Sequence, residues 1–564
     1  MDPALATSIS RRRRRFAARG IAFALMSGAC YGLYTSLLSL AQTQGAWGAW
    51  LSGTPWGGGR TALGAFAVTF ALPALAAGLN DLFSGAWALL VCAREGQLGD
   101  LWTTLRSRPG LVMVLCAVIG GPFATICYVV ALNGAAAAGN PGVIVPIAAL
   151  NCAIGAVLGP VLFHQRLEAH ALAGIAACLG AGALIGGASF ASMGPDALTA
   201  CAFALLAAFG WGFEGCVAGF GTALIDHRVG IVIRQVAAGT LELAVVFPAL
   251  MALSQDTAGA PQLLGAALAS PALGIFALSG LFAMPAYALW YKGNSMCGTA
   301  LGMACNSAYA FWGPFFIWII MGVLGIGGMS ASYPPLSVAQ WIGAAVMVAG
   351  IFVIAAKPRE RAGTAEDEAQ ARPESDEGER FTRAAEKADT GTRPGDDGAP
   401  GGAGCARAEG PSPSRYASSG KKEQHGENPG AMPAHPEPDG RAGARHIPLY
   451  YAVMLHFMDG AAHTARDVAA ALSGAYAGHR RLGPRAMEEA LATARENGLL
   501  DEAGHCIDER GELETSYRIS GFGRETVERH LTQQAPSANT AAREHSPARR
   551  SDPVHVPTRR KAPR

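Results

Sequence analysis

From about residue 20 to residue 356 the chain is a succession of long apolar runs broken by short polar stretches, and beyond residue 357 the pattern inverts. Roughly 20 apolar residues in a row are enough for a helix to cross a bilayer. About ten runs qualify, near 20–41, 66–92, 110–132, 140–163, 169–190, 198–221, 230–253, 271–291, 298–324 and 336–356. The first follows Arg11-Arg12-Arg13-Arg14-Arg15 and is longer than the apolar core of a cleaved signal peptide, so it is expected to remain as a span. Basic residues favour the cytoplasmic side, which puts the N-terminus there.

Ten spans and a cytoplasmic start assign a side to every loop. Arg94, Arg106, Arg108, Arg166, Arg228 and Lys292 then lie inside, with Arg234 at an inner helix end, and only Arg60 lies outside. Lys357, Arg359 and Arg361 close the last span on the inside. The expectation is an all-α polytopic membrane protein of the cell membrane, with both termini cytoplasmic.

The net charge of +2 averages two unlike parts and decides nothing. Ten of the twelve cysteines fall in the apolar half without CxxC or Cys/His spacing, so buried free thiols are expected and no metal or disulfide framework. No nucleophile–base set suggests an enzyme, and no cofactor is implied. There is no G-x-x-x-x-G-K-[ST] loop, and "GGGR" (57–60) falls in an outside loop. Any transport is therefore expected to run on a gradient.

The apolar half repeats itself. "AFALMSGACYGLY" (22–34) aligns with "AFALLAAFGWGFE" (202–214), and "AAGLNDL" (76–82) with "AAGTLEL" (237–243). "GPFATICYVVALNG" (121–134) aligns with "GLFAMPAYALWYKG" (280–293), and "LAGIAACLGAG" (172–182) with "WIGAAVMVAGI" (341–351). Four matches in one order predict two units of five spans. An odd number inverts the second unit, and inverted repeats are the architecture of secondary transporters.

Ionisable residues inside spans are rare and usually functional. In the alignment Asp81 falls opposite Glu242, each midway along its span, a pair suited to binding a cationic group or carrying protons. Against that stands a purely structural use, a protonated carboxyl bonding a neighbouring helix. Glu214 is equally deep but aligns with Tyr34 and breaks the symmetry; it defines substrate or pairs with another helix. Asn80, Asn151 and Asn306 line a cavity or bond across helices, and Tyr128 and Tyr287 are ligands or packing residues. Trp47, Trp50 and Trp56 are expected as interface anchors.

The block "CYVVALNGAAAAGNPGVIVPIAALNCAIGAVLGPVLFHQRLEAHALAGIAACLGAGALI" (127–185), with the aromatic–glycine pairs Tyr31-Gly32 and Trp211-Gly212, resembles the drug/metabolite transporter superfamily in its ten-span EamA-like form. Arg234 sits where that family's seventh span often begins with arginine. The family's turn glutamate is Gln165 here, and Pro73 stands at the second-span counterpart of Arg234, two departures from the pattern. The resemblance covers residues 20–357. It implies secondary transport of a small organic solute such as a metabolite, amino acid or drug, commonly by export. Protons are the coupling ion that Asp81 and Glu242 suggest. A membrane-embedded sensor that binds a ligand without moving it is the alternative.

Residues 358–445 are rich in Pro, Gly, Glu, Asp and Arg and are expected to be a disordered linker. Residues 446–531 predict helices near 446–460, 464–472 and 483–498, then strands in "GLLDEAG" and "TSYRIS" and a last helix near 523–531. Three helices and a two-stranded wing resemble a winged helix, a small cytoplasmic α+β domain. Nine arginines against thirteen acids argue against DNA and for a protein partner. The full expected division is a basic tail 1–19, five-helix repeats 20–190 and 191–357, the linker, the winged-helix-like domain 446–531 and a basic disordered tail 532–564. Expected partners are the lipid bilayer, a small-molecule solute, a protein bound by the last domain and a second copy of the chain as a homodimer.

Overall fold

The structure is a computed structural model that describes residues 3–54, 62–137, 144–163, 169–190, 196–221, 225–255, 259–327, 335–355, 447–507 and 512–531. The expected linker 358–445, the tail 532–564, Arg60, Trp56 and Gln165 lie outside the described residues.

The described residues up to 355 are almost wholly helical. In chain order they are α1 (Pro3–Thr43), α2 (Gly45–Leu51), α3 (Leu72–Arg94), α4 (Leu98–Leu105), α5 (Arg108–Val118), α6 (Ile126–Ala137), α7 (Ile144–Ala148) and α8 (Asn151–Phe163). There follow α9 (Ala169–Phe190), α10 (Asp196–Gly221), α11 (His227–Leu241), α12 (Phe247–Leu253), α13 (Ala260–Ala269), α14 (Ala272–Cys297), α15 (Thr299–Asn306), α16 (Tyr309–Ile317) and α17 (Val338–Ala355). Among the described residues four π-helical stretches, Ala67–Ala71, Ile119–Thr125, Glu242–Val246 and Trp318–Val323, complete α3, join α5 to α6, join α11 to α12 and extend α16. Pro122 lies inside the second, and Pro73 and Pro248 follow the first and third within two residues. A proline without its N–H leaves a carbonyl that a wider turn accommodates.

Seven of these helical stretches are long and apolar enough to cross a membrane: Leu5–Thr43, Ala67–Arg94, Arg108–Ala135, Leu198–Ala218, His227–Leu253, Ala272–Cys297 and Leu301–Val323. Apolar helix also fills the other three predicted runs: the fourth is interrupted at Ala149-Leu150 between α7 and α8, the fifth is the 22-residue α9 and the tenth the 18-residue α17. The bundle exposes apolar side chains on its outside and buries a small set of ionisable ones within an apolar core. Leu111, Leu115, Phe209 and Val338 are exposed, whereas Asp81, Glu214, Arg234 and Glu242 are fully buried. That distribution suits hydrocarbon as the surrounding solvent. Trp47 and Trp50 differ from expectation: both are buried, packed on each other and, for Trp47, on Phe276 at 4.8 Å between ring centroids. α2, which carries both, packs on α1 and α13.

The C-terminal residues form α18 (Leu449–His456), β1 (His463–Thr464), α19 (Ala465–Leu472), α20 (Pro484–Glu496), β2 (Leu500–Ile507), β3 (Leu513–Ile519) and α21 (Gly521–His530). Thr464 and Asp467 close a capping box at the start of α19. The sheet has one strand more than expected, ordered β1-β3-β2 and antiparallel, with Leu500 opposite Ile519. Met454, Phe457, Val468, Leu491, Leu499 and Val527 fill its core.

This small domain is docked on the bundle. Arg12 and Arg13 of α1 pair with Glu488 and Glu502, Arg19 with Glu489 at 2.6 Å, and Lys292 of α14 with Glu489 at 2.8 Å. Arg481 reaches Asp226 at 2.5 Å, Tyr451 meets Ser107 at 2.9 Å, and Asn497 donates to the Ser295 carbonyl at 3.0 Å. These contacts gather the N-terminus of α1, the α4–α5 turn, the start of α11 and the end of α14 at one end of the bundle. Burial alone would push Glu489 and Glu502 up, but Lys292 and Arg19 on the first and Arg13 and Arg495 on the second hold both below the ordinary glutamate range. Carboxyls depressed in this way contribute their full stability above that range and lose it as pH falls through the folded-state values. The protection of α20 amides in the intact protein, exchange being corrected for its intrinsic pH dependence, should therefore stay constant around neutrality and fall only in acid; a loss of protection on going from neutral to mildly alkaline pH would contradict this docking.

Candidate functional site

At the centre of the bundle Arg234 on α11 is wholly buried and holds two carboxylates. Its Nη1 donates to Asp81 Oδ2 on α3 at 2.8 Å, and its Nε donates to Glu214 Oε1 on α10 at 2.8 Å. Tyr291 on α14 donates its hydroxyl to the same Glu214 oxygen at 2.8 Å, and the guanidinium lies 4.2 Å from the centroid of the Tyr287 ring. On the other side Asn80 donates to Asp81 at 3.2 Å and accepts from Ser279 on α14 at 2.7 Å. One polar chain thus runs from Ser279 through Asn80, Asp81, Arg234 and Glu214 to Tyr291 and ties α3, α10, α11 and α14 together.

Arg234 was expected at a helix end, and the structure corrects this. It lies two turns inside α11, where a charge needs partners rather than water. Glu214, which had no partner by symmetry, finds it there. Glu242 is fully buried where α11 passes into its π-helical stretch, and neither carboxylate oxygen has a hydrogen-bond partner among the described residues.

Backbone approach sets this geometry. A Cβ on Gly78 would stand 2.5 Å from Leu243 and 3.1 Å from Glu242 Cβ. A Cβ on Gly239 would stand 2.7 Å from the Leu82 amide nitrogen and 3.1 Å from the Asp81 carbonyl carbon. In the alignment of the two sequence segments Gly78 stands opposite Gly239, Asp81 opposite Glu242 and Leu82 opposite Leu243, so each glycine meets residues aligned with those that the other glycine meets. Gly120 instead makes room for a side chain. A methyl there would overlap the Glu214 carboxylate, and the Gly120 carbonyl accepts from the Trp211 indole at 2.9 Å.

Beside the ion cluster lies an aromatic one. Tyr31 is central, 4.3 Å from Tyr309, 4.8 Å from Tyr34 and 5.6 Å from Trp211, while Tyr128 stands 5.0 Å from Trp211. The hydroxyls of Tyr34 and Tyr287 face each other at 3.4 Å, and the buried Tyr309 hydroxyl has no hydrogen-bond partner among the described residues. Asn151 begins α8 just after the interruption in the fourth run, and Asn306 ends α15 just before a matching interruption at Ser307-Ala308. Asn306 accepts from Ser27 at 2.8 Å. Asp81, Asn80, Glu214 and Tyr287 are thus joined in one network with Arg234, which the candidate residues had omitted. Tyr128 belongs to the aromatic cluster, and the two asparagines mark helix breaks. The arginine itself, a charge inside an apolar run, was the signal for the centre of the network.

No family model matches the chain, and no curated protein matches it. A solved structure whose description is "Crystal structure of protein" is similar at a TM-score of 0.41 and 20% identity, covering 61% of this chain and 99% of that chain.

Removing the cation alone leaves two buried carboxylates facing each other. Arg234→Met should therefore lower stability by about 3–5 kcal/mol, the usual loss when one partner of a buried pair is deleted. Adding Asp81→Asn and Glu214→Gln should recover most of it, because no unpaired charge is then left. Thermal unfolding of the purified protein in detergent compares the two; an equal loss in both would mean that charge pairing is not what Arg234 contributes.

Proposed function

We propose that the chain is a secondary active transporter of a small organic solute, acting as an exporter by alternating access between two inverted five-helix halves. The observation that carries this reading is the reciprocal crossing of the second and seventh helical runs at Gly78 and Gly239, with Asp81 and Glu242 at the crossing. Reciprocity is what a twofold relation between two copies of one unit produces. Other contacts follow the same relation: α1 packs on α14 as α10 packs on α6, α9 packs on α17, and α8 on α15. Both fourth members of the halves are interrupted, and interrupted helices near the midplane supply the exposed backbone groups that hold substrates in such proteins. On this reading ten helices cross the membrane, and the docked domain, winged-helix-like in its order of elements, lies with Arg11 to Arg19 in the cytoplasm.

The ion cluster supports coupling to protons. One guanidinium pairs with two carboxylates, Asp81 and Glu214, and a third carboxyl, Glu242, is fully buried in the same bundle. Glu242 has no hydrogen-bond partner among the described residues, and an ionised carboxylate in that state is costly in an apolar core. A proton or a bound cation removes the cost, so the two can exchange at one site as the halves rock. The surrounding rings of Tyr31, Tyr34, Tyr128 and Tyr287 suit an apolar solute body. The resemblance to the EamA-like transporters fits the same scheme.

One observation favours the sensor alternative. Asp226 caps α11 and also holds Arg481 of the docked domain, so the helix that carries Arg234 touches both the centre and the domain.

Cells expressing wild type and Asp81→Asn/Glu242→Gln at equal membrane levels should differ in the metabolites they release. A compound exported by the wild type alone is the expected result and names a substrate. Equal export by both would remove the two acids from the mechanism. If neither strain differs from an empty vector the exporter is overturned, and ligand binding without flux would favour the sensor.

A further inference from the structure

The arginine-bearing end of α1 has a use beyond fixing topology. The helix is 41 residues long, about 60 Å at 1.5 Å per residue, and only about half of that crosses hydrocarbon. Its first turns stand beyond the apolar part, and with the docked domain they enclose a cleft of about 640 Å³, within the size range of small-molecule sites. Eight arginines and five glutamates line it, an excess of three positive charges.

Arg466 and Arg495 pair with Glu514 and Glu502 within the docked domain, and the other six arginines divide into two groups. Arg12, Arg13 and Arg19 are engaged by Glu488, Glu502 and Glu489 in docking. Arg11, Arg15 and Arg485 line the same cleft and have no carboxylate partner among the described residues. Arg485 lies in the first turn of α20, whose N-cap Gly483 offers no side-chain acceptor, so the helix end adds amide donors beside it.

We propose that this cleft binds a ligand carrying several phosphate groups, and that the ligand loosens the docked domain. A single carboxylate would balance one of the three excess charges; clustered phosphates balance all of them, and the guanidinium fork matches phosphate oxygens two at a time. Once in the cleft, such a ligand competes with Glu488, Glu489 and Glu502 for Arg12, Arg13 and Arg19. The chemistry is shared by soluble phosphate esters and by the headgroups of anionic lipids, and the position of α1 gives both access. The inference does not rest on transport.

The test uses the full chain in nanodiscs, titrated with inorganic tripolyphosphate by calorimetry, with hydrogen exchange in α20 as a second readout. In discs of phosphatidylcholine alone, binding should weaken with salt, and exchange in α20 should rise on binding. Arg11→Gln/Arg15→Gln/Arg485→Gln, which removes none of the ion pairs above, should raise the Kd by at least about tenfold, the contribution of a single charge-assisted contact, with thermal unfolding unchanged. In discs of equal phosphatidylcholine and phosphatidylglycerol, weakened tripolyphosphate binding together with raised α20 exchange would identify the lipid headgroup as the source. Undiminished binding there would identify a soluble phosphate ester. No binding in phosphatidylcholine discs, or equal binding by the triple variant, overturns the site. Binding with unchanged α20 exchange overturns the competition.

Discussion

A guanidinium in an apolar interior must have its counter-charges supplied by protein, and the architecture of the bundle follows from that requirement at Arg234. Desolvating an ion costs several kcal/mol even after relaxation, and the attraction of a partner offsets it only when the geometry is good. Arg234 has two such partners, Asp81 and Glu214, each at 2.8 Å. They come from α3 and α10, and Tyr291 and Ser279 bring in α14 from opposite ends of the chain of hydrogen bonds. Sliding or rotating one of these helices would strand a charge. The network thus specifies the register among four helices more strictly than their leucines and alanines could.

Close approach of backbones makes the network possible. Lipid tails are as apolar as leucine, so helices in a bilayer gain little by burying apolar surface against each other and depend on fit. Gly78 and Gly239 let α3 and α11 cross with the acids at the crossing, and Gly120 leaves room for the Glu214 carboxylate. Glu242, buried and without a hydrogen-bond partner among the described residues, lies at the same crossing.

The soluble domain has a matching logic at its own scale. It carries more acid than arginine, and the structure gives part of that acid a basic partner. Glu488, Glu489 and Glu502 face Arg12, Arg13 and Arg19 across the seam. Charge segregated along the chain into a basic N-terminal arm and an acidic C-terminal domain is brought together in space.

By itself the sequence determined the apolar helices and, apart from the short strand β1, the element order of the C-terminal domain. These are local properties: a helix satisfies its own backbone, a run of apolar residues reports its surroundings, and the Thr464–Asp467 capping box lies within four residues. The acids at the centre were legible for the same reason, since a charge in an apolar run stands out wherever it occurs. Their pairing was not. Arg234 and Asp81 are 153 positions apart, and Glu214 aligns with a tyrosine rather than with an acid, so neither spacing nor repeat symmetry indicates which carboxylate meets which cation. The docking of the C-terminal domain, the burial of Trp47 and Trp50 and the surroundings of Glu242 were likewise decided only by the tertiary structure. Contacts of that kind depend on how helices cross, and crossing depends on the close fit of surfaces from distant parts of the chain.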